Sequence, residues 1–259
     1  MFGRIVSWFA KRAIAAENAI DLERREKLRA ERFPDHFVPY VGEIVQTRGL
    51  TAEQRAKLYR DIQVFLGEKK FVALEEFPLD DRVRVIVSTS AAILVLGRDI
   101  AQFDHVREIH IRHEISPRIG GLYQPVNTML GDEVIGSHGI VELGWKAVTA
   151  GLVRPEGQHV AFHELAHAYD HADGELDALM KHEHFERWSA LLRDLPLHRE
   201  RRGDQIYTEV IGDTEGPELF ASASELFFEC PRRLNKLDAA LFDALVEIYA
   251  LDPRTLTDR

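Results

Sequence analysis

The chain has 259 residues, 45% hydrophobic and 29% charged, with a formal net charge of −10 and a pI near 5.7. This is globular composition, which argues against a disordered or fibrous chain. The acidic balance argues against direct nucleic-acid binding. The single cysteine, Cys230, allows no intramolecular disulfide and is expected as a free buried thiol, which fits a reducing, cytoplasmic setting.

Residues Met1 to Ile20 carry Phe2, Ile5, Val6 and Phe9 on one helical face, but Lys11 and Arg12 interrupt any apolar run. That reads as a docked or surface amphipathic helix, not a signal peptide. No run of about eighteen apolar residues follows, so no membrane span is expected. The segment from about Ile14 to Leu74 reads as helices. Thr51 and Gln54 form a capping-box pair before Leu58, Ile62, Phe65 and Leu66.

Asp80 and Asp81 open an apolar segment whose period, from Val83 to Val95, favours a buried helix, with a strand as the alternative. Ile109, Ile111, His113 and Ile115 alternate, which predicts a strand over Glu108 to Ile115. His110 and His113 would then point to opposite faces and share no metal. Gly120, Gly121, Pro125, Gly131, Gly136 and Gly139 predict a loop-rich stretch before a short strand, Ile140 to Leu143. That strand is either the edge of a substrate cleft, able to pair with an extended peptide, or a plain core strand. Helices are expected near Leu176–Leu195, Pro217–Phe228 and Leu237–Tyr249. The fold class is α+β with helix dominant.

Residues 163 to 167 read His-Glu-Leu-Ala-His. On a helix, His163 and His167 lie a turn apart on one face and can share one zinc ion. Glu164 is offset around the helix, so it reaches a metal-bound water more readily than the metal itself, as a general base requires. Asp170 shares the ligand face and can accept the spare N–H of a ligand histidine or of a neighbour. A catalytic zinc needs a third protein ligand. The helix beginning at Pro217 offers Glu218 and Glu225, seven residues apart on one face, and spacing alone does not choose between them.

These motifs resemble the Mlc titration factor A family of zinc-dependent peptidases. The resemblance is carried by Asp61 to Phe71, by Leu79 to Val87 with Leu94 to Gly97, and by Gly139 to Trp145. It is strongest in His163-Glu-Leu-Ala-His-Ala-Tyr-Asp170 and continues in Pro217-Glu-Leu-Phe-Ala221 and Ser224 to Phe228. It implies a zincin core similar to that of lethal-factor-type toxins, binding one zinc per chain. Residues 79–259 would form the catalytic domain, with residues 1–78 a helical region packed on it. Glu218, followed by Leu219-Phe220-Ala221, fits the family's third-ligand setting, which leaves Glu225 as a supporting acid.

Such enzymes often carry a tyrosine seven residues before the third ligand. Here that position is Ile211, and Tyr207 lies four residues earlier. Tyr207 and His198 are the candidates for stabilising the oxyanion. The implied function is peptide hydrolysis, aminopeptidase action included. The alternatives are a regulatory protein that sequesters a transcriptional repressor and a zinc hydrolase acting on something other than peptides. The expected partners are a peptide or protein substrate and, in the regulatory reading, the repressor.

Overall fold

The computed structural model describes residues 21–116, 119–130, 132–153, 159–171 and 217–256. The expectations for Met1–Ile20, for a helix at Leu176–Leu195, and for His198, Tyr207 and Ile211 lie outside these residues. Over the described residues the fold is helix-dominant α+β, built on one four-stranded sheet.

The described residues begin with α1 (Leu22–Ala30), the short α2 (Val38–Val41) and α3 (Ala52–Glu68). Thr51 and Gln54 close a reciprocal capping box at the start of α3, as their spacing predicts. The buried Arg25 ties α1 to α3 through Glu68 and also pairs with Asp104. After β1 (Lys70–Ala73), Asp80 caps α4 (Asp81–Leu94), whose side chains are buried almost all round. Two of its buried hydroxyls are satisfied within the helix: Thr89 donates to the Val85 carbonyl and Ser90 to that of Ile86. The choice between helix and strand at Val83–Val95 is thus settled for helix.

The remaining strands are β2 (Val106–Arg112), β3 (Gly121–Leu130) and β4 (Glu133–Gly144), and the sheet order is β1-β2-β4-β3. β1, β2 and β4 run parallel, while β3 pairs antiparallel with β4. One expectation is corrected and one choice settled here. The glycine-rich stretch is not a loop but a long hairpin, and Ile140–Leu143 is not an edge, because β4 is held on both sides. The edge strands are β1 and β3.

The reason lies in the ladder. The Gly144 N–H donates to the Gly120 carbonyl at 2.9 Å. With Gly121 opposite Leu143, this phase turns the main-chain groups of Leu122 and Gln124 toward β4 and those of Gly121, Tyr123 and Pro125 outward. Pro125 lacks only an N–H that would have faced away from the sheet, so an edge strand tolerates it.

Beyond the sheet come α5 (Trp145–Val153), α6 (Val160–Asp170), α7 (Pro217–Glu229), α8 (Pro231–Leu237) and α9 (Ala239–Tyr249). The last helix starts two residues later than its pattern suggests, because Asp238 ends α8 and caps α9. Cys230, between α7 and α8, is a free cysteine and half-buried rather than fully enclosed. The core is contiguous from Val41 to Leu256. No helix among the described residues is long and apolar enough to cross a membrane.

Candidate metal centre

α6 and α7 pack against each other through rings. Phe162 stacks on Phe228 at 5.5 Å and Tyr169 on Phe220 at 6.5 Å. Tyr249 from α9 closes the cluster against Tyr169 and Phe227, and its hydroxyl donates to the Ser224 hydroxyl at 2.8 Å. Helical periodicity assigns the two faces. Phe162, Leu165, Ala166 and Tyr169 are buried, while His163 and His167 line a cleft. On α7, Leu219, Phe220, Ala223, Leu226 and Phe227 are buried, which turns Glu218 and Glu225 toward the same cleft.

The ligand atoms of His163, His167 and Glu218 all lie within 4.8 Å of one another. The two Nε2 atoms are 3.2 Å apart. Glu218 brings one oxygen within 3.4 Å of His163 Nε2 and the other within 3.3 Å of His167 Nε2. A tetrahedral zinc with bonds of about 2.0–2.1 Å needs its ligand atoms about 3.3 Å apart. Two imidazoles and one carboxylate at these separations therefore suit such an ion, and the fit rests on this geometry alone.

Glu225 takes a different position. Its Oε2 is 3.3 Å from His163 Nδ1, on the far side of the ring from Nε2. It is also more enclosed than Glu218, at 11% exposure against 60%. The structure thus separates the two acids that spacing left open. Glu218 faces the point shared by both histidines, and Glu225 can orient one of them. Asp170 makes no hydrogen bond to either imidazole, and burial raises its carboxyl to about 6.

The charges in the cleft are strongly coupled. Burial opposes a proton on His163, but Glu225 first, then Glu164 and Glu218, outweigh it and raise its pKa. Burial and then His163 itself lower that of His167. Two nitrogens this close hold one proton more easily than two, and a cation can replace it. Burial pushes the Glu164 carboxyl up to about 7, while His163 and the main-chain N–H of Tyr123 favour its ionised form.

The cleft has a volume of about 720 Å³. Besides His163, Glu164, His167, Glu218 and Glu225, it is lined by Gly120, Gly121, Leu122 and Tyr123. Sequence reasoning missed this wall, because the glycines that signal a loop here permit close contact. A Cβ on Gly120 would lie 2.9 Å from Val160 Cγ2, and one on Gly121 would overlap Glu164. Ile119 and Leu122 stay about half exposed at the mouth. His110 pairs with Glu108 and His113 packs on Phe77, so neither joins the centre.

A helix-borne histidine pair with a carboxylate from a second helix defines a candidate metal site of the metallopeptidase type. Residues 20–250 match the family model for the glucose-regulated metallo-peptidase M90, and the chain belongs to that family. It is 28% identical over 248 residues to an uncharacterized protein of Synechocystis, covering 90% of each chain. It is also 24% identical over 230 residues to the Mlc titration factor A proteins of Salmonella gallinarum and Salmonella enteritidis, covering 79% of this chain and 82% of theirs.

Proposed function

We propose that this chain is a zinc-dependent peptidase, with His163, His167 and Glu218 holding one zinc ion. The observation that carries the reading is the cluster of His163, His167 and Glu218 ligand atoms, all within 4.8 Å of one another, beside the buried carboxylate of Glu164. A zinc ion held by these residues would polarise a carbonyl and lower the pKa of a water toward neutrality. Glu164 then accepts the proton of the attacking water and delivers it to the leaving amine nitrogen. Glu225 fixes the orientation of His163 through Nδ1. The outward main-chain groups of β3 give an extended peptide a strand to pair with, beside the centre.

In this reading residues 79–259 form the catalytic unit, and β1 joins the preceding α1–α3 segment to it through the same sheet. The single cysteine supports a cytoplasmic protein. The similarity to Mlc titration factor A proteins supports a second reading: regulation by binding a transcriptional repressor, with or without hydrolysis.

The test is hydrolysis of peptides and aminoacyl anilides by zinc-loaded, chelated and Glu164→Gln protein. Glu164→Gln keeps its zinc and folding but loses at least about a hundredfold in turnover, the usual contribution of a positioned base. Wild-type hydrolysis rates in a zinc-loaded Glu164→Gln protein would sink the mechanism. A folded, zinc-loaded wild type inert toward a broad panel would favour the binding role.

A further inference from the structure

We propose that Gly121 is a positioning residue for Glu164: the bare backbone at the start of β3 gives the carboxylate the room to sit against the sheet edge. This inference rests on the peptidase reading and deepens it.

Three observations meet at one point. First, a Cβ on Gly121 would lie 2.8 Å from both Cδ and Oε1 of Glu164, and closer still to Cγ. Cγ is in the middle of the side chain, so swinging the tip away does not clear the overlap. Either the carboxylate or the strand must move. Second, the main-chain N–H of Tyr123 donates to the Glu164 carboxylate. Tyr123 shares the outward phase of Gly121 on the edge strand, so this N–H is not used by β4. Third, Glu164 itself is only 6% exposed, and the side of it that meets β3 is filled by this strand.

The strand and the acid therefore form one unit. β4 fixes β3, α7 fixes α6, and Gly121 is where the two assemblies touch at the candidate base. Alanine is the smallest side chain that tests this. Its methyl group shifts Glu164 relative to the histidines by about the size of the overlap, of order 1 Å. A misplacement of that size costs about a hundredfold in rate when the group acts in the transition state.

The experiment uses the full-length, zinc-loaded protein. Gly121→Ala is expected to keep one zinc per chain, to change KM by less than about threefold, and to lower kcat by about a hundredfold. A general structural lesion would not be confined to kcat, and it would add to the loss caused by Glu164→Gln. A lesion acting through Glu164 does not add: the double variant Gly121→Ala/Glu164→Gln is expected to turn over as slowly as Glu164→Gln alone. A crystal structure of Gly121→Ala gives a readout independent of turnover, with the Glu164 carboxylate displaced and the His163–His167–Glu218 separations unchanged. Additive rate losses, or a Glu164 left in place by the added methyl, would overturn the proposal. A wild type with no peptidase activity would instead remove the reading beneath it, and the crystal structure would still decide whether Gly121 sets the position of Glu164.

Discussion

Glu218 and Glu225 lie on one helix face, yet their removal should have unequal consequences. Glu218 faces the Nε2 atoms of both histidines at 3.3–3.4 Å, and Glu225 faces only Nδ1 of His163. A ring that binds metal through Nε2 cannot bind the same ion through Nδ1, so Glu225 acts on the metal through His163. Losing such an orienting partner costs about 10- to 100-fold in metal affinity. At about 1.4 kcal/mol per decade, that is roughly 1.4–2.8 kcal/mol. Losing Glu218 removes a donor and a negative charge at once, so Glu218→Ala should weaken zinc binding beyond that range. Asp170→Ala, with no hydrogen bond to either ring, should change affinity less than Glu225→Ala. Competition against a chelator of known affinity measures all three. The reverse order of Glu218→Ala and Glu225→Ala would move the third ligand to Glu225 and refute the geometric argument.

Other outcomes follow from the packing and from one buried charge. Phe228→Ala removes a fully buried ring stacked on Phe162, and it should cost about 3–5 kcal/mol by denaturant unfolding. Because that ring joins α6 to α7, zinc affinity should fall with stability, and an unchanged affinity would separate the core from the centre. Lys69 is buried with its ammonium on the Phe103 carbonyl, and burial lowers its pKa from 10.5 to about 8. Between these values the unfolded chain holds the proton more tightly than the folded one, so the penalty for the charge is full below pH 8 and fades toward pH 10.5. The stability of wild type relative to Lys69→Met should therefore rise across that window, and a flat difference would mean that Lys69 titrates normally.

Much of this centre is legible in the sequence because its chemistry is local. His163 and His167 need only the period of one helix, and Thr51 with Gln54 need only three residues of spacing. Glu218 against Glu225 is a different problem. Both satisfy the same helical face, and only the depth at which α7 meets α6, set by Phe162, Phe220, Phe228 and Tyr249, decides which carboxylate reaches Nε2. The edge strand is harder still. Gly120, Gly121, Pro125, Gly136 and Gly139 carry the composition of a loop, and the pairing that makes them a hairpin lies in partners across the sheet. Pro125 is compatible with a strand only because its missing N–H faces outward, a fact of register that no local pattern contains.

The same register explains why the two halves of the site cannot drift independently. His163 and Glu164 are neighbours in sequence but face different structures: His163 faces α7, through Glu218 and Glu225, and Glu164 faces β3, through Gly121 and Tyr123. A change in the packing of α7 therefore acts first on the metal donors, and a change in β3 acts first on the candidate base. Helix geometry keeps the two side chains about 100° apart around α6, so one short segment transmits both. This is the physical content of the histidine–glutamate pair. In the proposed mechanism it divides metal binding and proton transfer between two supports while holding them a fixed distance apart, and a substitution on either support should be separable by whether zinc affinity or turnover changes first.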